Sequence, residues 1–240
     1  MDFNTGGGSG RPDDRPLYGE EAGGTARGPA PGPAGSPGGE FNLQDPINSF
    51  IGTVRTLVLD PIGFFRRIAR GGDFVSPLIF ALICALISGI LGGIINFLIS
   101  LAFGGDPDFG VGGAFVGLIA NIVLTPIYWA IVLFIGAALL HLLVLLFVRP
   151  RNAGYEATFR VISYASVYQL VSWIPLIGWI VGPVWGVVLA ILGIREIHAT
   201  TTGKAVLIVL IPVVVAILFV VFVLAALIGG ALFLDNQQQF

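Results

Sequence analysis

The sequence predicts an all-α, polytopic membrane protein, with about five transmembrane helices behind a disordered, Gly/Pro-rich N-terminal tail. Three observations carry that prediction. Of the 240 residues, 55% are hydrophobic and 11% charged, against about 25% charged in a soluble domain, and mean hydropathy is +0.92. Several apolar runs are long enough to cross a hydrocarbon core of about 30 Å as helices. Finally, the nine cations from Arg55 onward (Arg55, Arg66, Arg67, Arg70, Arg149, Arg151, Arg160, Arg195 and Lys204) all fall on one side of a five-span topology. Lysine and arginine collect on the cytoplasmic side. The N-terminus is therefore expected inside and the C-terminus outside, in a cell (plasma or inner) membrane, or in an ER or Golgi membrane if the source is eukaryotic.

Residues 1–44 are expected to be a disordered cytoplasmic tail. Stretches such as Gly6, Gly7, Gly8 and the run from Gly28 to Pro33 hold too few apolar groups to offset the entropy of ordering. Residues 45–72 turn amphipathic, with Ile47, Phe50, Ile51, Val54 and Val58 at helical spacing. Asp45 before Pro46, and Asp60 before Pro61, are helix-start signals. The second start places Phe64 and Phe65 beside Arg66, Arg67 and Arg70. Aromatic bulk next to arginine suits a helix lying in an anionic headgroup layer or one packed on the cytoplasmic ends of the spans, and either way offers a partner-docking surface.

A membrane domain is then expected over residues 73–234. Its first span, near 77–103, carries Ala85, Gly89 and Gly93 four residues apart, a smooth strip for helix packing. An acidic loop around Asp106 and Asp108 follows on the outer side. The second span, near 113–148, is too long to stand straight across a bilayer, and Pro126 is its expected bend. Its glycine-rich approach (Gly110, Gly112, Gly113) reads as loop. Asn121, Thr125 and Tyr128 share one helical face within it.

Between Arg160 and Arg195 lie 34 residues without a cation. One helix of that length would be about 51 Å long. A hairpin fits better, because it returns Arg195 and Lys204 to the side of Arg160. Trp173, Ile174, Pro175 and Gly178 supply its turn. Its arms are spans three and four, near 155–172 and 175–194. The third is rich in Ser, Tyr and Gln and is expected to face other helices. The fourth carries Gly178, Gly182, Gly186 and Ala190 at a strict four-residue period, a helix-packing ladder. Trp173 and Trp179 suit an outer interface belt. A fifth span, near 205–234 with Pro212 as its kink, leads to a short outer tail at 235–240.

This hairpin also carries a family resemblance. Arg160, Tyr164 and Ala165 form an Arg-x-x-x-Tyr-Ala segment, followed by a Pro/Gly-broken helix pair, the string from Gly193 to His198, and Gly203, Lys204 and Ala205. Upstream stand the stretches from Asp60 to Phe65 and from Asp73 to Leu78. In this order the motifs resemble the Yip family of Rab/Ypt-interacting membrane proteins over roughly residues 58–220. The absence of an Asp-Leu-Tyr-Gly-Pro element, typical of eukaryotic members, points to a bacterial branch. The resemblance implies a part in membrane organisation or vesicle traffic, through prenylated small GTPases in eukaryotic members.

The chemistry legible in the sequence is sparse. Net charge is −2, so no nucleic-acid partner is expected. Cys84 is the single cysteine and excludes an intrachain disulfide. His141 lies inside the second span, with no carboxylate in the spans and no second histidine nearby in the chain. Glu196 and His198, two apart on a helix, point in different directions and cannot chelate together. Glu196 is expected to pair with Arg195 or Lys204. The polar candidates are thus His141, Asn121, Tyr164, Arg195, Glu196 and Lys204, with no catalytic set, metal site or cofactor. The reading is a non-enzymatic scaffold or adaptor with a protein partner on its cytoplasmic face and lipid around it. A homo-oligomer stays open, and the alternative is a small permease or channel.

Overall fold

The computed structural model describes residues 39–103, 110–148 and 152–238. The tail at 1–38, the acidic loop at 104–109, and Arg149 and Arg151 lie outside these residues, as does the side chain of Trp179. No strand occurs among the described residues. Two short helices come first, α1 (Pro46–Leu59) and α2 (Pro61–Arg67), each with proline in its first turn. The Asp60 carboxylate accepts from the Gly63 N–H at 2.9 Å and caps α2. Asp45 does not cap α1 in this way: its carboxylate accepts from the Asn48 side-chain amide at 3.0 Å.

Two long helices follow, α3 (Val75–Phe103) and α4 (Gly110–Phe147). Helix α4 already begins within the glycine-rich stretch expected to be loop, from Gly110 at φ +57, and continues through Pro126. The small-residue strip of α3 lets the two helices approach closely. A Cβ at Gly89 would stand 3.0 Å from Asn121 Oδ1, and one at Gly93 would stand 2.7 Å from Leu118 Cδ1.

Residues 155–172 form α5 (Tyr155–Ala165), a 3₁₀ turn (Ser166–Tyr168) and α6 (Gln169–Ser172). Then come α7 (Ile177–Ile197) and α8 (Thr202–Gln238). Among the described residues, four helical segments are long and apolar enough to cross a membrane: Val75–Phe103, Gly112–Phe147, Ile180–Ile197 and Thr202–Gly230. The run expected as the third span is instead broken into short pieces and enclosed by protein. Its Thr158, Ser163, Ser166 and Gln169 are all buried. Polar groups of this kind are tolerated at membrane depth where neighbouring helices cover them.

The hairpin of 155–197 is closed at its base, where the Ala153 N–H donates to His198 Nδ1 at 3.1 Å. Glycines of α7 line its seam. An added Cβ would meet Val161 Cγ1 at 2.5 Å from Gly193, Tyr168 Cδ1 at 2.6 Å from Gly186, and two carbonyl oxygens (Val171 and Ser172) at 2.5 Å from Gly178. The chain reverses in a γ-turn. The Ile177 N–H donates to the Pro175 carbonyl at 2.8 Å, and Leu176 takes φ 66 and ψ −56, a strained geometry for a non-glycine residue. At this tip Trp173 reaches Gly92, 17 residues or about 25 Å along α3 from Val75. Helix α8 buries Ala205, Ile208 and Val209, then exposes a nearly continuous apolar surface that suits lipid.

Candidate functional site

At the base of the hairpin the chain builds a buried polar hub from residues far apart in sequence. Arg160 on α5 is 4% exposed, and Glu40, which precedes α1, is 6% exposed. They form an ion pair. Arg160 Nη1 also donates to the Asp73 carbonyl at 2.7 Å, and the Tyr164 hydroxyl donates to Glu40 Oε2 at 3.1 Å. The second carboxylate oxygen of Glu40 accepts from the Ala69 N–H at 2.6 Å. Glu156 joins the hub by accepting from the Asp73 N–H at 2.7 Å. Such bonds make a buried charge pair tolerable by satisfying its remaining donors and lone pairs, here all but Arg160 Nε.

Asp73 heads α3, its carboxylate accepting from the N–H groups of Val75 at 2.7 Å and Ser76 at 3.0 Å. Burial works to raise its pKa. The Ser76 hydroxyl, the two backbone donors and nearby Arg160 outweigh that and hold it below the usual carboxylate range.

Aromatic rings enclose the hub. Tyr164 meets Phe64 edge-on at 5.0 Å and Phe80 at 5.3 Å, while Phe41 lies 6.1 Å from Phe80. Phe64 and Phe65, expected at a membrane or partner surface, are thus core residues at 0% and 1% exposure. The amphipathic pattern marked the helix correctly, but its apolar face is covered by protein. The boundary of the tail also moves. It was expected to run to residue 44, yet Glu40 and Phe41 are already buried.

The arginines of α2 and the following turn remain outside. Arg66 Nε donates to Glu196 Oε2 at 2.8 Å, with its own side chain 64% exposed. Arg67 lies 3.4 Å from Asp60 in an exposed pair, and Arg70 is exposed. Glu196 also accepts from Arg195 Nε at 2.8 Å. Its partners are therefore Arg195 and Arg66, and Lys204 stands exposed beyond them. Helix α1 turns Ile47, Ile51 and Val58 outward, at 72%, 60% and 52% exposure.

A second cluster joins His141 to a histidine that sequence proximity did not suggest. His141 Nδ1 and His198 Nε2 each lie 3.0 Å from the Thr158 hydroxyl. Because His198 Nδ1 accepts from Ala153, its proton sits on Nε2 and donates to Thr158. Burial, then the neighbouring His141 and Arg70, push the pKa of His198 down to about 4. A neutral His198 therefore pins the start of α5 to the end of α7. Among the described residues no three His, Cys, Asp or Glu side chains gather to hold a metal ion.

The six polar candidates thus separate. Tyr164 belongs to the hub, His141 to the histidine cluster, and Arg195 and Glu196 to the α2 contact. Lys204 is on the surface near the start of α8. Asn121 lies elsewhere, beside a cavity of about 480 Å³ between α3, α4 and the hairpin tip. The ladder of Gly178, Gly182, Gly186 and Ala190 faces residues 168–172 or is otherwise buried. Glu40 and Thr158 carry no mark in the sequence reading, and Asp73 and His198 enter it only as members of motif stretches, His198 also as a rejected chelating partner of Glu196. Only the end of the Gly/Pro run at Glu40 and Phe41 offered a signal for the first.

Long apolar helices with a buried ionic hub at one end define an all-α, multi-pass membrane protein. A family model for the Yip1 domain matches residues 55–231, and the chain belongs to that family. No curated protein and no solved structure gives a significant match. Glu40 precedes the matched region, whereas its partner Arg160 lies inside it.

Proposed function

We propose that the chain is a non-enzymatic scaffold or adaptor in membrane organisation or trafficking, which recruits an acidic protein partner on its cytoplasmic face. The observation that carries this reading is the docking of α1 and α2 onto the hairpin base by the Glu40–Arg160 pair, with Arg66, Arg67 and Arg70 left exposed. A clamped basic surface loses little entropy on binding. The topology that goes with it has residues 39–73 inside and α8 leading outward, following the positive-inside rule. In that topology the hairpin of 155–197 returns the chain to the inner side.

The permease alternative calls on His141, Asn121 and Tyr164 together. They occupy three separate surroundings, and that separation favours the scaffold. Co-purification from native membranes in mild detergent tests the reading, with the full chain compared with Arg67→Glu/Arg70→Glu. Arg66 is left unchanged because it holds Glu196. A stoichiometric partner lost in the double variant, at unchanged thermal stability, supports the scaffold. A partner equally retained, or none from either form, contradicts it.

A further inference from the structure

We infer that α1 lies along the membrane surface, with its outer apolar stripe among phospholipid acyl chains and Arg55 at the phosphates of an anionic leaflet. The inner face of α1 is settled by the core: Thr53 and Leu57 are buried, and Phe50 and Val54 pack against the same cluster. A helix whose other side met water would be polar there. Instead Ile47, Ile51 and Val58 all stand exposed and, at about 100° per residue, fall within roughly 40° of one another. Single exposed apolar side chains are ordinary, but a continuous stripe marks a contact surface.

A ring contact sets the depth of that stripe. Phe50 meets Phe80 at 5.3 Å, and Phe80 lies only about 7.5 Å along the membrane-crossing helix α3 from its start at Val75. Helix α1 therefore stands level with the first turns of a span, where headgroups give way to acyl chains. An interfacial helix sinks its apolar face about 5–10 Å into that boundary. Arg55 borders the stripe, exposed and with no ion pair among the described residues. The carboxylates at the two helix ends are engaged elsewhere, Asp45 by Asn48 and Asp60 by the Gly63 N–H and Arg67. An arginine so placed buries its stem beside the apolar stripe and reaches lipid phosphate with its head. The lipid contact that Phe64 and Phe65 do not make, being core residues, thus falls to α1.

Nitroxide labelling of the full chain in nanodiscs of phosphatidylcholine and phosphatidylglycerol tests the inference. Labels are placed singly on Ile47→Cys, Ile51→Cys and Gly52→Cys. Position 52 is turned by about 100° from 51, and a side chain there meets nothing within 4 Å. Cys84 is buried, and the parent protein treated alike gives the background signal. All three are surface changes and should elute and melt like the parent, and positions 47 and 51 report independently. Labels at 47 and 51 should be relaxed by oxygen far more than by a water-soluble nickel chelate, at a depth of about 5–10 Å, and the label at 52 the reverse. Arg55→Glu should shift the label at 51 outward in the same anionic discs. Three results would each overturn the inference: nickel access at 51 equal to that at 52, which puts the stripe in water; protection from both relaxants, which puts protein or a second copy over it; or a depth that Arg55→Glu leaves unchanged.

Discussion

Replacing Glu40 with alanine removes one side chain from a segment that precedes every described helix, yet the loss should be felt through the whole hairpin base. Three groups lose their acceptor at once: the Arg160 guanidinium, the Tyr164 hydroxyl and the Ala69 N–H. Arg160, at 4% exposure, cannot turn to water without moving α5. It keeps only its bond to the Asp73 carbonyl, since its Nε is unpartnered already. Breaking a buried pair by removing one partner costs about 3–5 kcal/mol. For a chain of this size that corresponds to a fall of roughly 10 °C in melting temperature. The assay is size-exclusion chromatography of heated, detergent-solubilised protein, with limited proteolysis at residues 39–45. Removing both charges in Glu40→Gln/Arg160→Met should recover much of the loss, because two neutral groups carry no unpaired buried charge. If Glu40→Ala melted within about 1 kcal/mol of the parent, the pair would be behaving like an exposed one and the clamp would be refuted.

Three further outcomes follow from the same geometry. His198 has a native pKa near 4, below its ordinary value of 6.5. Its contribution is therefore complete above about pH 6.5 and is lost as pH falls toward 4, on the order of 3 kcal/mol. Melts between pH 7.5 and pH 4 should show that loss, and His198→Gln should flatten it. Gly178→Ala places a Cβ 2.5 Å from two backbone carbonyls that cannot move aside cheaply; a destabilisation of about 1–3 kcal/mol is expected in the same melts. Deletion of residues 1–38 should leave the domain monodisperse. Deletion of 1–70 should not, because it removes Phe41, Leu57, Phe64, Phe65 and Ile68 from the core. At about 1.5–3 kcal/mol each, these five together match the whole stability margin of a typical domain.

The helical class was legible because apolar content and run length leave few alternatives in a bilayer. The hairpin was legible for a different reason: Arg160, Arg195 and Lys204 had to share a side, and only a reversal near Pro175 achieves that. The small-residue ladder of α7 announced a close contact but not what it touches. Tyr168 and the carbonyls of residues 171 and 172 became visible only in the folded chain.

The hub was hidden for physical reasons. Glu40 sits at the end of a Gly/Pro run whose composition argues against order, and its partner lies 120 positions away. Phe64 and Phe65 follow an amphipathic pattern, and such a pattern looks the same whether the apolar face meets lipid or protein. The pairing of His141 with His198 depends on Thr158 standing between them, a consequence of hairpin closure that spacing cannot encode.

On the proposed function, the arginine-bearing face of α2 docks a protein. Photo-crosslinking in native membranes addresses it most directly, with a photoreactive amino acid placed at Arg67 and, for comparison, at Val215 on the exposed apolar face of α8. One discrete protein adduct is expected from position 67, abolished by Arg70→Glu, and only lipid adducts from position 215. Lipid adducts alone from both positions would contradict it.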